Sequence, residues 1–360
     1  MLLYIHIPFC DSKCFYCAFN SYTSLHSLRD EYMVALEKQL KYELEKNSKK
    51  NNINIETVFI GGGTPSTIDA QKYKKIIETI KPYIKNQQTN NIEITIEANP
   101  NSASKQWLED IYSIGINRIS FGVQSFNDEK LEFLGRNHNN KQAIEAIKNA
   151  NKVGFKNINC DIIYDTKLDT KKLLDNDLNI IKTLPINHLS AYSLTLEEGT
   201  KFYNKCSVKV ENIDLANYLF KELKSLGFNQ YEISNFAKND YAKSKHNLGY
   251  WQYKEYLGIG CGAVGCYDGK RYYGQKDVQT YINNPIRYEN KEELTPNDIL
   301  VEKVLLGFRS EIGVKIEIFN DIQKEKIYEL VNLNKLKIEN NIIYSLDFML
   351  ADELCLYLDI

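Results

Sequence analysis

Tyr4-Ile-His-Ile-Pro-Phe-Cys10-Asp-Ser-Lys-Cys14-Phe-Tyr16-Cys17-Ala-Phe19 is the stretch on which the reading of this chain turns. The apolar run Leu2 to Ile7 predicts a β-strand, and Pro8 ends it. Three cysteines then follow in a C-x3-C-x2-C spacing. Three thiolates on one short loop suit three irons of a cubane 4Fe–4S cluster, leaving the fourth iron open to a small molecule. Protein-bound clusters of this kind ordinarily use four thiolates. Two other readings compete. Tetrahedral zinc wants four ligands, usually as paired knuckles, and no second pair lies at finger distance. A disulfide is disfavoured because no secretory signal precedes the motif.

A chain of 360 residues predicts two domains or three, with a large buried core. Its 43% hydrophobic and 26% charged residues are ordinary for a globular protein. Lys and Arg number 45 against 47 Asp and Glu, a formal net charge of −2. That balance excludes a global electrostatic drive toward nucleic acid or anionic membrane. No apolar run approaches the ~18 residues of a membrane span. The cysteines beyond the first three, namely Cys160, Cys206, Cys261, Cys266 and Cys355, are scattered, and a reducing cytoplasm is the expected location.

Leu28, Tyr32, Leu36, Leu40 and Leu44 recur at helical spacing, and the polar run Glu45 to Asn54 predicts a surface loop. Thr57 to Ile60 predicts a buried strand running into Gly61-Gly62-Gly63-Thr64-Pro65-Ser66, glycines that let a ligand approach the backbone. Further strands are expected at Ile92 to Glu97, Arg118 to Gly122, Asn157 to Tyr164 and His188 to Leu194. Six strands alternating with helices argue for a parallel α/β architecture. Glu97 at the end of its strand would face the active side of such a barrel. Past Thr200 the pattern changes: a helix over Ile213 to Leu226 and a strand over Tyr231 to Phe236. The glycine-rich run Tyr256 to Gly265 follows, then a helix from Asn297 to Ser310 and a hairpin turning at Asn340-Asn341. Glu197-Glu198 reads as a solvated turn, since neighbours on a strand point to opposite faces. No hydrolase pattern and no P-loop lysine is present, so no catalytic side chain is assigned.

The cysteine spacing, with the aromatic Tyr16 directly before Cys17, resembles the radical S-adenosylmethionine (SAM) superfamily. The resemblance implies a 4Fe–4S cluster on Cys10, Cys14 and Cys17 whose open iron chelates SAM. It implies that Gly61 to Pro65 is the loop meeting the SAM amino group, and that Glu97 contacts the SAM amino acid or ribose. It also implies the fold: an α/β protein with a partial, six-stranded TIM-like (β/α) barrel, open at the side for a large substrate. A smaller α+β region ending in a winged-helix-like domain follows. The expected divisions are 1–200 for the barrel, 201–295 for a connecting region and 296–360 for the last domain. A winged helix can bind DNA, but no basic recognition stripe stands out. A packing or partner role, without nucleic acid, is expected.

Over essentially its whole length the chain resembles the anaerobic coproporphyrinogen III oxidase family. On that resemblance Tyr4 and Gly62 contact one SAM, Gly63, Thr64, Gln124, Arg136 and Asp161 contact a second, and Tyr16 is a cofactor contact beside the cluster. A salt bridge between Arg136 and Asp161 is the competing structural reading. One segment departs from the family: Asp165-Thr-Lys-Leu168 stands where a Gly-Leu-Pro-Gly-like turn is usual. The family has an oxidase branch, which decarboxylates coproporphyrinogen III, and a HemW-type branch of haem chaperones. Three features favour the second. Phe19 stands where the oxidase carries a fourth cysteine, the first strand starts at Met1 without the oxidase's extension, and His246-Asn-Leu-Gly-Tyr250-Trp251 matches an HNxxYW motif associated with haem. The resemblance therefore implies haem contacts at His246 and Trp251, an unknown haem-acceptor protein, and peripheral membrane association through that acceptor. An electron donor such as a flavodoxin or ferredoxin belongs to the same expectation. Val264 stands where family members often carry His, so axial ligation relying on that position must differ; Cys261 and Cys266 flank it. Coproporphyrinogen III dehydrogenase, or another radical SAM enzyme sharing only the barrel, are the alternatives.

Overall fold

Parallel strand pairing organises the chain in the computed structural model, which describes residues 1–51, 53–85 and 92–360. The first half alternates strand and helix: β1 (Leu2–Ile7), α1 (Arg29–Asn51), β2 (Thr57–Gly62), α2 (Ala70–Ile80), β3 (Glu93–Ala98), α3 (Lys105–Ser113) and β4 (Arg118–Gln124). It continues with α4 (Asp128–Leu134), α5 (Asn140–Val153), β5 (Asn157–Tyr164), α6 (Lys171–Ile181) and β6 (His188–Ser193). Strands β1 to β6 lie side by side in sequence order, each parallel to the next, as the six-stranded barrel reading expects.

The sheet alternates outward and inward faces. Leu3, Ile5 and Ile7 face the helical layer and are fully buried, as are Tyr32, Leu36, Leu40 and Leu44 along one stripe of α1. Each such side chain contributes roughly 1.5–3 kcal/mol of burial. Pairing sets the inward rows by register. Tyr4 lies beside Phe59 and Phe59 beside Thr95. Glu97 lies beside Ser120, Ser120 beside Asn159, and Asp161 beside Ser190. A barrel that only needs a core fills its interior with branched apolar side chains. This interior is polar, and the apolar core lies between sheet and helices.

The second half extends that sheet at both edges. After α7 (Ile213–Ser225) come β7 (Asn229–Gln230) and β8 (Asn235–Ala237); β8 adds antiparallel to β6, and β7 pairs antiparallel to β8 at the sheet's edge. After α8 (Lys245–Trp251), β9 (Tyr256–Ile259) pairs parallel to β1, opposite β2. Strands β10 (Val264–Tyr267), β11 (Lys270–Gly274) and, after α9 (Val278–Asn283), β12 (Tyr288–Glu293) continue the sheet antiparallel. The last region runs α10 (Pro296–Phe308), β13 (Val314–Lys315), α11 (Asp321–Asn332), β14 (Leu336–Glu339), β15 (Ile342–Ser345) and α12 (Ala351–Tyr357). Its three-stranded sheet has the order β13-β15-β14, and its own core includes Val304, Phe308, Ile327, Leu336, Ile343 and Leu358. Helix and strand order are of winged-helix type. Asn340 and Asn341 turn the hairpin with φ of 51° and 62°, the left-handed pair that a two-residue turn requires.

Three details differ from the sequence expectation. Helix α1 continues through Asn51, because the Glu and Lys of that polar run are good helix formers. The single strand expected over Tyr231 to Phe236 is two short strands around a turn. The glycine-rich run contains a strand, β9, whose Gly258 lies so close to Val264 that a Cβ would sit 2.1 Å from its carbonyl oxygen.

Candidate functional site

The cysteine loop is closed at its base. The Tyr22 N–H donates to Pro8 O at 2.8 Å and the Cys10 N–H to Tyr22 O at 3.1 Å. Cys10, Cys14 and Cys17 are free thiols, and burial pushes those of Cys10 and Cys17 up. Two of the three sulfurs receive polar hydrogens from other elements. The Thr64 hydroxyl donates to Cys10 Sγ at 3.3 Å, and Arg136 donates to Cys14 Sγ at 3.1 Å. Among the described residues no three His, Cys, Asp or Glu side chains gather as ligands of one ion. The loop offers three free thiols, the ligand type that holds iron–sulfur clusters.

The turn after β2 crosses directly under this loop. The Gly63 N–H donates to Ile7 O and the Thr64 N–H to Phe9 O, both at 2.8 Å. A Cβ on Gly63 would lie 2.8 Å from Phe9 O, so only glycine allows the crossing. The Gly62 N–H donates to Glu97 Oε2 at 3.1 Å.

Glu97 and Asp161 face each other across the interior. Burial, with Asp161 as the next cause, pushes the Glu97 carboxyl up to about 8. Burial also raises Asp161, which accepts from Asn159 Nδ2 at 2.7 Å. Burial raises the Tyr192 phenol as well, although Tyr192 is 42% exposed. Glu97 and Asp161 are themselves only half-buried, so the acidic side of the barrel mouth is open to solvent.

Gln124 and Arg136 complete the mouth. The β4–β5 register shifts between Phe121 and Gln124, and Gln124 has φ of 72°, a bulge with left-handed backbone of the kind that re-aims a side chain at a site. Arg136 does not pair with Asp161. It donates to Cys14 Sγ, to Asn99 Oδ1 and to Gly122 O, while its buried Nε has no partner. Tyr16 lies next to the same guanidinium, and burial raises its phenol.

A cavity of about 420 Å³ opens beside this region, between β1, β2 and α8. Tyr4, Phe19, Phe59, Tyr250 and Tyr256 give it aromatic walls, with His6, His246 and Val264 among the other lining residues. Helix α8 is anchored under the barrel by Glu93, whose carboxylate accepts from the backbone N–H groups of Lys245 and His246 at 2.9 and 3.1 Å. His246 is 1% exposed, and both ring nitrogens are engaged: Nδ1 with Thr57 Oγ1 at 2.8 Å and Nε2 with the Tyr250 hydroxyl at 3.1 Å. Burial lowers its pKa to about 3, so the ring is neutral.

Tyr4, Tyr16, the three cysteines, Gly62 to Thr64, Glu97, Gln124, Arg136 and Asp161 thus come together around the barrel mouth. His246 lies on the cavity wall next to them. Trp251 does not line the cavity; its indole N–H is buried without a partner. Cys261 is fully buried, donates to Lys276 O at 2.7 Å, and burial pushes its thiol up to about 12. Val264 lines the cavity and Glu197-Glu198 is exposed. Sequence reasoning missed Phe59, Tyr256, Asn20 and Asn99. The alternation of β2 held a signal for Phe59; the others have none until distant segments meet.

Residues 4–176 match the model of the Radical SAM superfamily. Over 322 residues the chain is 35% identical to heme chaperone HemW of Bacillus subtilis (strain 168), covering 86% of this chain and 84% of that protein. It is 33% identical over 347 residues to heme chaperone HemW of Lactococcus lactis subsp. lactis (strain IL1403), with 91% and 89% covered. Among solved structures, coproporphyrinogen III oxidase (HemN) from Escherichia coli, a radical SAM enzyme, superposes with a TM-score of 0.81 over 99% of this chain and 90% of that one. At 20% identity that likeness is one of fold.

Proposed function

The chain belongs to the HemW family within the radical SAM superfamily, and from that premise we propose that it is a haem chaperone that binds haem and passes it to an acceptor protein. The observation that carries the reading is the aromatic cavity beside the cysteine loop. Flat aromatic walls supply the stacking area that a large apolar macrocycle needs. We assign haem contact to Tyr250, Phe59 and Phe19 on that wall. His246 holds Tyr250 in place; as an iron ligand it would first release Thr57 or Tyr250.

The superfamily brings a 4Fe–4S cluster and SAM, and this chain's residues fit both. Cys10, Cys14 and Cys17 would hold the cluster, with Thr64 and Arg136 donating to two of the sulfurs. When bound, the cluster supplies one-electron chemistry toward SAM. Tyr4, Gly62 and Glu97 would line one SAM position, and Tyr16, Gly63, Thr64, Gln124, Arg136 and Asp161 a second. Glu97 at one position and Asp161 at the other suit a ligand carrying ammonium and sulfonium charge, and Arg136, whose Nε has no partner, suits a ligand carboxylate.

Titration of the anaerobically purified protein with haem tests the reading: one haem per chain is expected, with transfer to an acceptor as the second step. Decarboxylation of coproporphyrinogen III is the second reading, favoured by the fold likeness to HemN. Phe19, 67% exposed on the cavity rim, stands where that enzyme type carries a thiol. We expect no conversion to protoporphyrinogen IX with SAM and a strong reductant; multiple-turnover conversion would replace the chaperone reading. A flavodoxin- or ferredoxin-type donor and a cytoplasmic location belong to the same proposal, as do the divisions near 200 and 296. Among the described residues no helix is long and apolar enough to cross a membrane; peripheral membrane association through the acceptor is part of the proposal.

A further inference from the structure

Two turns at the barrel mouth, those after β4 and β5, are tied to one buried set of charges. The β4 turn holds Gln124 at φ of 72°, a conformation that costs a non-glycine residue on the order of 1–3 kcal/mol and persists only where the surroundings enforce it. Asp177 on α6, 4% exposed, does the enforcing: Oδ2 accepts from the Ser125 hydroxyl at 2.7 Å and Oδ1 from the Phe126 N–H at 2.9 Å. From the other side His138 Nε2 bonds Val123 O at 3.0 Å.

Beside Asp177 sits Lys130, whose side chain is 0% exposed. Its ammonium donates to Ile163 O, two residues beyond Asp161, and to Asp169 Oδ1. The other Asp169 oxygen accepts from the Thr166 N–H at 2.7 Å and the Thr166 hydroxyl at 2.8 Å. This closes the segment that departs from the family's glycine-proline turn. One ammonium thus ties down the end of β5 and its turn, and its charge reaches Asp177. Burying a lysine and two aspartates is a poor route to stability, since apolar residues of similar volume usually do as well or better. What the cluster provides is a fixed geometry.

We propose that Asp177, backed by Lys130 and Asp169, is the positioning device that holds the left-handed Gln124 turn, and with it one wall of the SAM chamber. The first part stands on geometry alone; the SAM part rests on the function proposed above.

A double-mutant cycle tests the first part. Asp177→Asn lowers the urea midpoint of the wild-type chain. In a Gln124→Gly background the same substitution is expected to cause less than half that drop, because glycine adopts φ of 72° without being held. Equal drops in both backgrounds overturn the proposal. The second part is read by equilibrium dialysis of SAM against cluster-reconstituted protein. Asp177→Asn is expected to weaken SAM roughly tenfold, the lower range for loss of an orienting partner, with iron content and haem titration unchanged. Where Asp177→Asn does not fold, Lys130→Met/Asp169→Asn removes its backing instead; it is expected to lower the urea midpoint less in the Gln124→Gly background than in the wild-type chain, and to lose SAM affinity. Wild-type SAM affinity in either variant overturns the second part. A wild-type protein that takes up no SAM refutes the chamber assignment, while the cycle still decides the positioning claim.

Discussion

Replacing Gly62 by alanine should damage this protein far more than the loss of one glycine suggests. Gly62 has φ of 111°, and a Cβ there would sit 2.4 Å from His6 Cε1 and 2.5 Å from His6 Nδ1. His6 lines the cavity, but any move into it breaks the hydrogen bonds that tether the ring. It is 4% exposed, its Nδ1 bonds the Tyr4 hydroxyl at 2.9 Å and its Nε2 the Asn20 carbonyl at 2.8 Å. Burial lowers its pKa to about 4, so the ring is neutral where it sits. The left-handed backbone costs about 1–2 kcal/mol, overpacking about 1–3, and a broken buried hydrogen bond about 1, for roughly 3–6 kcal/mol in all. Domains have only about 5–15 kcal/mol to lose. Gly199 is the control: its φ is 80° and a Cβ there meets nothing within 4 Å, so Gly199→Ala should cost only about 1–2 kcal/mol. Urea unfolding of the two variants, followed by circular dichroism, makes the comparison. Because Asn20 follows the cysteine loop and its side chain bonds Cys261 O and Lys276 O, displacement of His6 should also lower the iron retained after reconstitution. A Gly62→Ala variant no less stable than Gly199→Ala would refute the steric reasoning.

Other outcomes follow from the same geometry. Alanine at Cys10, Cys14 or Cys17 should abolish the oxygen-sensitive visible absorbance of the reconstituted cluster, whereas Cys160→Ala, in the apolar core, should retain it; iron and sulfide analysis checks both. Tyr250→Ala should weaken haem binding in a Soret titration by about tenfold through lost stacking area, and more than Trp251→Ala, since only Tyr250 lines the cavity. Unequal effects in the opposite order would move the haem. Folding raises the Glu97 carboxyl from its ordinary value of 4.5 to about 8. The folded state therefore binds more protons, and stability present below pH ~4.5 is lost as pH climbs toward 8. Glu97→Gln, which keeps an acceptor for the Gly62 N–H, should flatten that slope in the cofactor-free protein and be the more stable form at pH 8; urea midpoints from pH 5 to 8.5 decide.

The cysteine spacing, the strand–helix alternation and the strand-end motifs were legible because each is local. A period of two or of 3.6 residues, three thiols in eight residues, and a glycine run after a strand all express themselves within one segment. So were the helix from Asn297 and the hairpin at the end, down to the Asn340-Asn341 turn, because a left-handed pair has few residue choices; the winged-helix reading of that region came from the resemblance. The parallel pairing of β9 with β1 was not legible, since Gly258 and Gly265 carry no strand signature of their own and lie there only because two backbones must touch. The cavity is assembled from β1, β2, α8 and β9, and Tyr4 and Tyr256 on its wall stand about 250 residues apart in the chain, so no single window shows that these aromatics share one wall. His246 illustrates the division. Its motif marks it in the sequence, but whether its nitrogens are free or spent on Thr57 and Tyr250 depends on where α8 lands under the barrel. Lys130 is the converse: in sequence it is one more charged residue on a helix, and only the packing of α4 against the ends of β5 and α6 makes it a buried cation. Local chemistry is written in neighbouring residues; burial, register and the partner of each polar atom are properties of distant segments brought into contact, and these were decided by the tertiary structure.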